Sequence, residues 1–125
     1  MGITTAGMTG VANLIGTTTT GSGFTYRWIM IGTSATAFNI SQTTGVAEIQ
    51  RMASTTQTVG SNTLTTVADY FSFGGGAQTV NECGLTSSVT LNVGNMLCRA
   101  LTGAIACGVT DTLKVTITVE VKQGA

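Results

Sequence analysis

The clearest pattern lies near the C-terminal end of the chain. Over residues 112–122, Leu113, Val115, Ile117, Val119 and Val121 are apolar, while Thr112, Lys114, Thr116, Thr118, Glu120 and Lys122 are polar. Side chains alternate between the two sides of a strand, so this run predicts a strand with one face in a core and one in water. Residues 24–31 predict another. Phe24, Tyr26, Trp28 and Met30 share one face, and Thr25, Arg27, Ile29 and Ile31 share the other. Bulk on both faces places that strand mid-sheet. Residues 46–59 hold Glu48 and Arg51 and then a Thr-rich strand, residues 64–73, 77–85 and 96–101 read as further strands, and Val89, Leu91 and Val93 mark a short one. In the second half of 64–73, Val67, Asp69, Phe71 and Phe73 face one way. Residues 33–45 form a loop whose Phe38 is expected to tuck into the edge of the core. Val46, Ile49 and Met52 fall at near-helical spacing, which leaves a helix open over residues 45–53.

Thr and Val dominate, and β-branched side chains suit strands better than helices. The chain has 17 Gly and no Pro. Turns must therefore rest on Gly, Asn and Asp, as at Gly74-Gly75-Gly76 and Gly94-Asn95. Seven or eight short strands with Gly turns predict an all-β fold: a single antiparallel β-sandwich, jelly-roll-like or immunoglobulin-like, over residues 23–125. Residues 1–22 are Gly- and Thr-rich around one apolar island, Val11-Ala12-Asn13-Leu14-Ile15. They read as an extended arm, or as a first strand completed by a neighbour. Val11, Leu14 and Ile15 are its candidate partner contacts.

Composition narrows the function. Only 8% of the residues are charged, five basic and five acidic, for a net charge of zero. Domains average about 25% charged. Thr, Ser, Gly, Asn and Gln stand where charge is usual, and a neutral surface of that kind tends to associate. Arg27, Arg51, Arg99, Lys114 and Lys122 are scattered. They form neither the basic patch expected of a nucleic-acid binder nor a polybasic site for anionic lipid. No apolar run reaches transmembrane length, and residues 1–21 lack the basic and apolar regions of a signal peptide. Neither membrane association nor secretion by a signal peptide is expected. Cys83, Cys98 and Cys107 are odd in number and show no C-x-x-C spacing, so they read as small buried hydrophobes in a reducing compartment.

The chain contains no His. That removes Ser-His-Asp and Cys-His catalysis and most zinc sites. The carboxylates Glu48, Asp69, Glu82, Asp111 and Glu120 are not paired in sequence. Gly74-Gly75-Gly76 lacks the Lys-Ser/Thr of a phosphate loop. No enzyme, cofactor or metal is expected. Glu82 stands inside an apolar strand, where a buried carboxylate needs a charged partner or several donors. It reads as a structural acid, with Arg51 or Arg99 as its partner. An aromatic face built from Phe24, Tyr26 and Trp28 reads as core in preference to a stacking platform.

The order of motifs resembles one known group. Arg27-Trp28-Ile29-Met30-Ile31-Gly32-Thr33 is followed by Ala35-Thr36-Ala37-Phe38 and then Glu48-Ile49-Gln50-Arg51. Later come Glu82-Cys83-Gly84-Leu85 and Gly94-Asn95-Met96-Leu97-Cys98-Arg99, then the closing alternating strand. Across residues 24–122 this is similar to small virion proteins of tailed phages and to the N-terminal domain of their tail-collar fibres. That pattern has a strand ending in Gly-Thr-Gly or Gly-Asp-Gly, a loop, and Leu-x-x-Glu-x-x-Arg. Its second half has Glu-Ile/Val-Gly-Leu and Gly-x-Leu/Met-Leu-x-Arg. This chain departs from it at Ser34, Val46 and Cys83. The resemblance implies a non-catalytic virion component in which Glu48, Arg51, Glu82 and Arg99 hold loops.

Two placements follow. The first is a capsid decoration, or cement, protein bound to the major capsid protein and closed on itself as a homotrimer or another ring. The second is a tail, collar or baseplate part. Both expect the chain in the virion, assembled in the host cytoplasm. A carbohydrate-binding module would need exposed aromatics or an acidic calcium loop, and the sequence offers little of either.

Overall fold

The computed structural model describes Thr4, Val11 and residues 26–60, 62–93 and 96–122. Among the described residues seven strands run in chain order: β1 (Trp28–Gly32), β2 (Glu48–Ala53), β3 (Thr56–Val59), β4 (Thr63–Ser72), β5 (Gln78–Thr86), β6 (Met96–Cys107) and β7 (Thr112–Glu120). They form two antiparallel sheets, one ordered β2-β1-β5-β6 and the other β3-β4-β7. The sheets pack face to face as a β-sandwich. Of the arm, Val11 is exposed, and Leu14 and Ile15 lie outside the described residues.

Alternation builds the core. In β7, Leu113, Val115, Ile117 and Val119 pack against the buried cluster of Ile29, Ile31, Phe71, Phe73, Val80, Leu85 and Cys107. Thr112, Lys114, Thr116, Thr118 and Glu120 face outward. β1 lies between β2 and β5, and Ile29, Met30 and Ile31 are all fully buried. The bulk on both its faces therefore reflects a central strand covered on both sides. Cys83, Cys98 and Cys107 are free thiols; Cys107 is buried and the other two are half-buried.

Residues 46–59 hold two strands rather than one. The chain changes sheets at Ser54 and Thr55: Ser54 N donates to Arg27 O beside β1, and Thr55 N donates to Val67 O on β4. The near-helical spacing around Ile49 has a local cause. Ile31 pairs with Gln50 and Gly32 with Glu48, so Ile49 is the extra residue of a bulge. The bulge lets Ile49 and Met52, three residues apart, both pack on the core. It also places Glu48 and Arg51 on the opposite face of the sheet, opposite Gly32 and Met30.

Three other expectations are corrected. β6 continues past Leu101 to Cys107, because Gly103 takes φ 73° inside a second irregularity and the strand resumes beyond it. Val89, Leu91 and Val93 form no strand. Asn92 has φ 58°, a left-handed turn that ends extended backbone, and all three side chains are exposed. Phe38 is 56% exposed instead of tucked into the core. Its loop closes on itself: Asn39 N donates to Gln42 Oε1, and Ser41 N to Asn39 Oδ1, which turns the segment outward.

Ile117→Asp is expected to cost about 3 kcal/mol or more, since it puts an unpaired charge against the core. Thr118→Asp, one residue on, should stay within about 0.5 kcal/mol. Urea denaturation of the two variants compares them, and equal losses would refute the assignment of faces.

Candidate functional site

The conspicuous polar chemistry of the described residues lies on the face of the four-stranded sheet turned away from the other sheet. Met30 and Gly32 of β1, Gly84 and Glu82 of β5, and Arg99 of β6 share that face. The register sets Met30 opposite Gly84 and Gly32 opposite Glu82, with Gly84 also opposite Arg99. The β2 bulge adds Glu48 and Arg51. Two loop segments close over these side chains, residues 33–47 and residues 87–93.

Glu82 is fully buried. Its carboxylate accepts hydrogen bonds from Val46 N at 3.2 Å, Ala47 N at 2.7 Å and Arg99 Nε at 2.5 Å. Of the two arginines proposed as its partner, Arg99 is the one it meets, and both side chains are excluded from solvent. Arg99 Nη1 and Nη2 are buried with no hydrogen-bond partner.

Glu48 and Arg51 form the second pair, with side chains 0% and 1% exposed. Arg51 Nε and Nη2 donate to the two carboxylate oxygens at 2.9 and 2.8 Å, a bidentate fork. Gly45 N donates to the same carboxylate at 2.8 Å, and Asn92 N at 3.0 Å. One carboxylate thus ties together backbone from both loops. Arg51 Nη1 completes the tie by donating to Ser88 O at 2.7 Å and Val93 O at 2.8 Å. Burial pushes the Glu48 carboxyl up, but hydrogen bonds from Arg51, Asn92 and Gly45 and the charge of Arg51 outweigh it and hold the group below its ordinary value of 4.5.

Glycines make room for these groups. A Cβ on Gly32 would meet Glu82 Oε1 and, at 2.5 Å, Ala47 O. A Cβ on Gly84 would meet Cys98 O at 2.7 Å and Met30 Cε at 3.0 Å. Neither glycine was singled out as a site residue from the sequence. The usable signal was spacing: Gly84 stands two residues from Glu82, on the same face of the strand.

A separate open groove of about 620 Å³ is lined by Ala77, Gln78, Thr79, Ala106, Cys107, Gly108 and Asp111. Its acid is engaged, because Gly108 N donates to Asp111 Oδ2 at 2.7 Å. No cluster of three or more metal-ligating side chains and no helix able to cross a membrane occurs among the described residues. Comparison with family models, with curated proteins and with solved structures gave no match. The geometry of this face is therefore what a functional reading has to rest on. Chemically, the face holds two loops in place through their backbones.

Glu82→Ala should cost about 3–5 kcal/mol, because it leaves a buried guanidinium uncompensated. Hydrogen exchange at the Val46 and Ala47 amides should rise with it, and unchanged protection there would show that something else holds the loop. Glu48 has a lowered folded pKa, so its contribution to stability is complete above the ordinary glutamate value. That contribution is lost as pH falls through the folded one. Denaturant midpoints followed from about pH 5 downward should fall, and Glu48→Gln should flatten that acid limb.

Proposed function

We propose that this chain is a non-catalytic structural protein of a tailed-phage virion, acting as a capsid decoration (cement) protein on the major capsid shell. One observation supports the reading above the others. Six of the motif residues, Gly32, Glu48, Arg51, Glu82, Gly84 and Arg99, though spread along the chain, meet on one face of one sheet. There Glu48, Arg51, Glu82 and Arg99 engage one another and loop backbone, and none is presented to solvent. That is the role the resemblance implies for them. The neutral, hydroxyl-rich surface agrees with life inside an assembly, with protein neighbours in preference to nucleic acid or membrane. Closure of copies into a trimer or another ring belongs to the same reading.

Quantitative mass spectrometry of purified particles tests it, with this chain measured against the major capsid protein. A molar ratio near one, or a simple fraction of it, is the expected result. A ratio of a few per cent would move the chain to the tail, collar or baseplate. Absence from particles would end the virion reading.

A further inference from the structure

Nine large hydrophobic side chains are exposed among the described residues, and six of them stand on the two loops joined by Glu48. Phe38, Ile40 and Val46 belong to the first loop; Val89, Leu91 and Val93 belong to the second. Ile40 is 92% exposed. Single apolar residues on a surface need no explanation, whereas a gathered set marks an interaction site. Four of the six are gathered by the ion pair below them. Glu48 accepts from Gly45 N and Asn92 N, next to Val46 and between Leu91 and Val93. Arg51 holds the carbonyls of Ser88, next to Val89, and of Val93 itself. The backbone beneath these side chains is already fixed, so docking there would spend little free energy on ordering loops.

Charge identifies the occupant. Residues 33–47 and 86–98 contain no Asp, Glu, Lys or Arg. A charged partner would lose its hydration against them and gain no counter-charge. The partner surface must be neutral and rich in apolar and hydroxyl groups. This chain has such a surface. Four of its ten charged residues are consumed in the two buried pairs, which leaves six for all the rest. We infer that the two-loop face is the contact through which copies of this chain associate, with a second copy as its occupant. The inference rests on reading the chain as an assembly component, and it names the surface used.

Sedimentation velocity of the purified full chain, over a wide concentration range, tests it. The wild type should associate with rising concentration. Val46→Lys and Leu91→Lys should each weaken association about tenfold or more, by placing an ammonium in the contact. Thermal melting of the same samples should show them folded as the wild type is. If either lysine variant unfolds, the double variant Val89→Ser with Leu91→Ser takes its place and should dissociate likewise. Thr116→Lys, on the exposed face of β7, should associate as the wild type does. Variants that associate unchanged would place the contact elsewhere and overturn the inference. A wild type that stays monomeric throughout would also overturn it, assigning the face to a different protein. Particle stoichiometry is measured independently, so that failure would leave the virion reading standing or falling on its own result.

Discussion

A carboxylate removed from water is costly unless donors meet its oxygens, and breaking a buried ion pair costs more than the pair itself contributes. This sandwich has two such carboxylates on the side of the four-stranded sheet away from the core. Each is met by two backbone N–H groups as well as by an arginine. Glu82 cannot be buried unless Val46 and Ala47 lie over it, and Glu48 cannot be buried unless Gly45 and Asn92 do the same. The paths of the loops are thus consequences of the acids. The room they need explains Gly32 and Gly84, and the bulge at Ile49 explains how Glu48 and Arg51 reach the same face. The unequal satisfaction of the two arginines gives the pairs different characters. Arg51 makes a fork and two carbonyl bonds, whereas Arg99 contributes its charge and Nε to Glu82.

What could be read from the sequence follows from where period-two patterning was strong. β7 alternates strictly because one of its faces is packed and the other is wet, and β1 is bulky on both faces because it lies mid-sheet. The patterning misled where backbone irregularity intervened. The spacing of Val46, Ile49 and Met52 suggested a helix, but the bulge at Ile49 produces a three-residue interval inside a strand. Val89, Leu91 and Val93 alternate like a strand, yet Asn92 in the left-handed region breaks them. The strand read over residues 96–101 runs on to Cys107, through a bend at Gly103 within β6.

The site was legible in part. Glu82 in an apolar strand demanded a partner, and the sequence narrowed that partner to Arg51 or Arg99. Deciding between them requires the register, since Arg99 lies opposite Gly84 and its side chain reaches diagonally to Glu82. The match of Glu48 to Arg51 requires the bulge, because residues three apart in a regular strand point to opposite faces. The loop donors and acceptors that meet these side chains could not have been read at all. They are amides and carbonyls, and any residue other than proline supplies both.

That last point bears on how this surface can vary. Each loop contact made by Glu48, Glu82 and Arg51 falls on a main-chain atom. The tether therefore does not register which side chains the loops carry at Val46, Val89, Leu91 or Val93. Substitution there can recast the chemistry of the face while its shape stays as it is. Glycine substitutions at the tethered positions would be tolerated by the anchor, but proline at Val46, Ala47 or Asn92 would remove an amide on which it depends. The fold thereby separates the sequence positions that set loop geometry from those that set what the loops recognise.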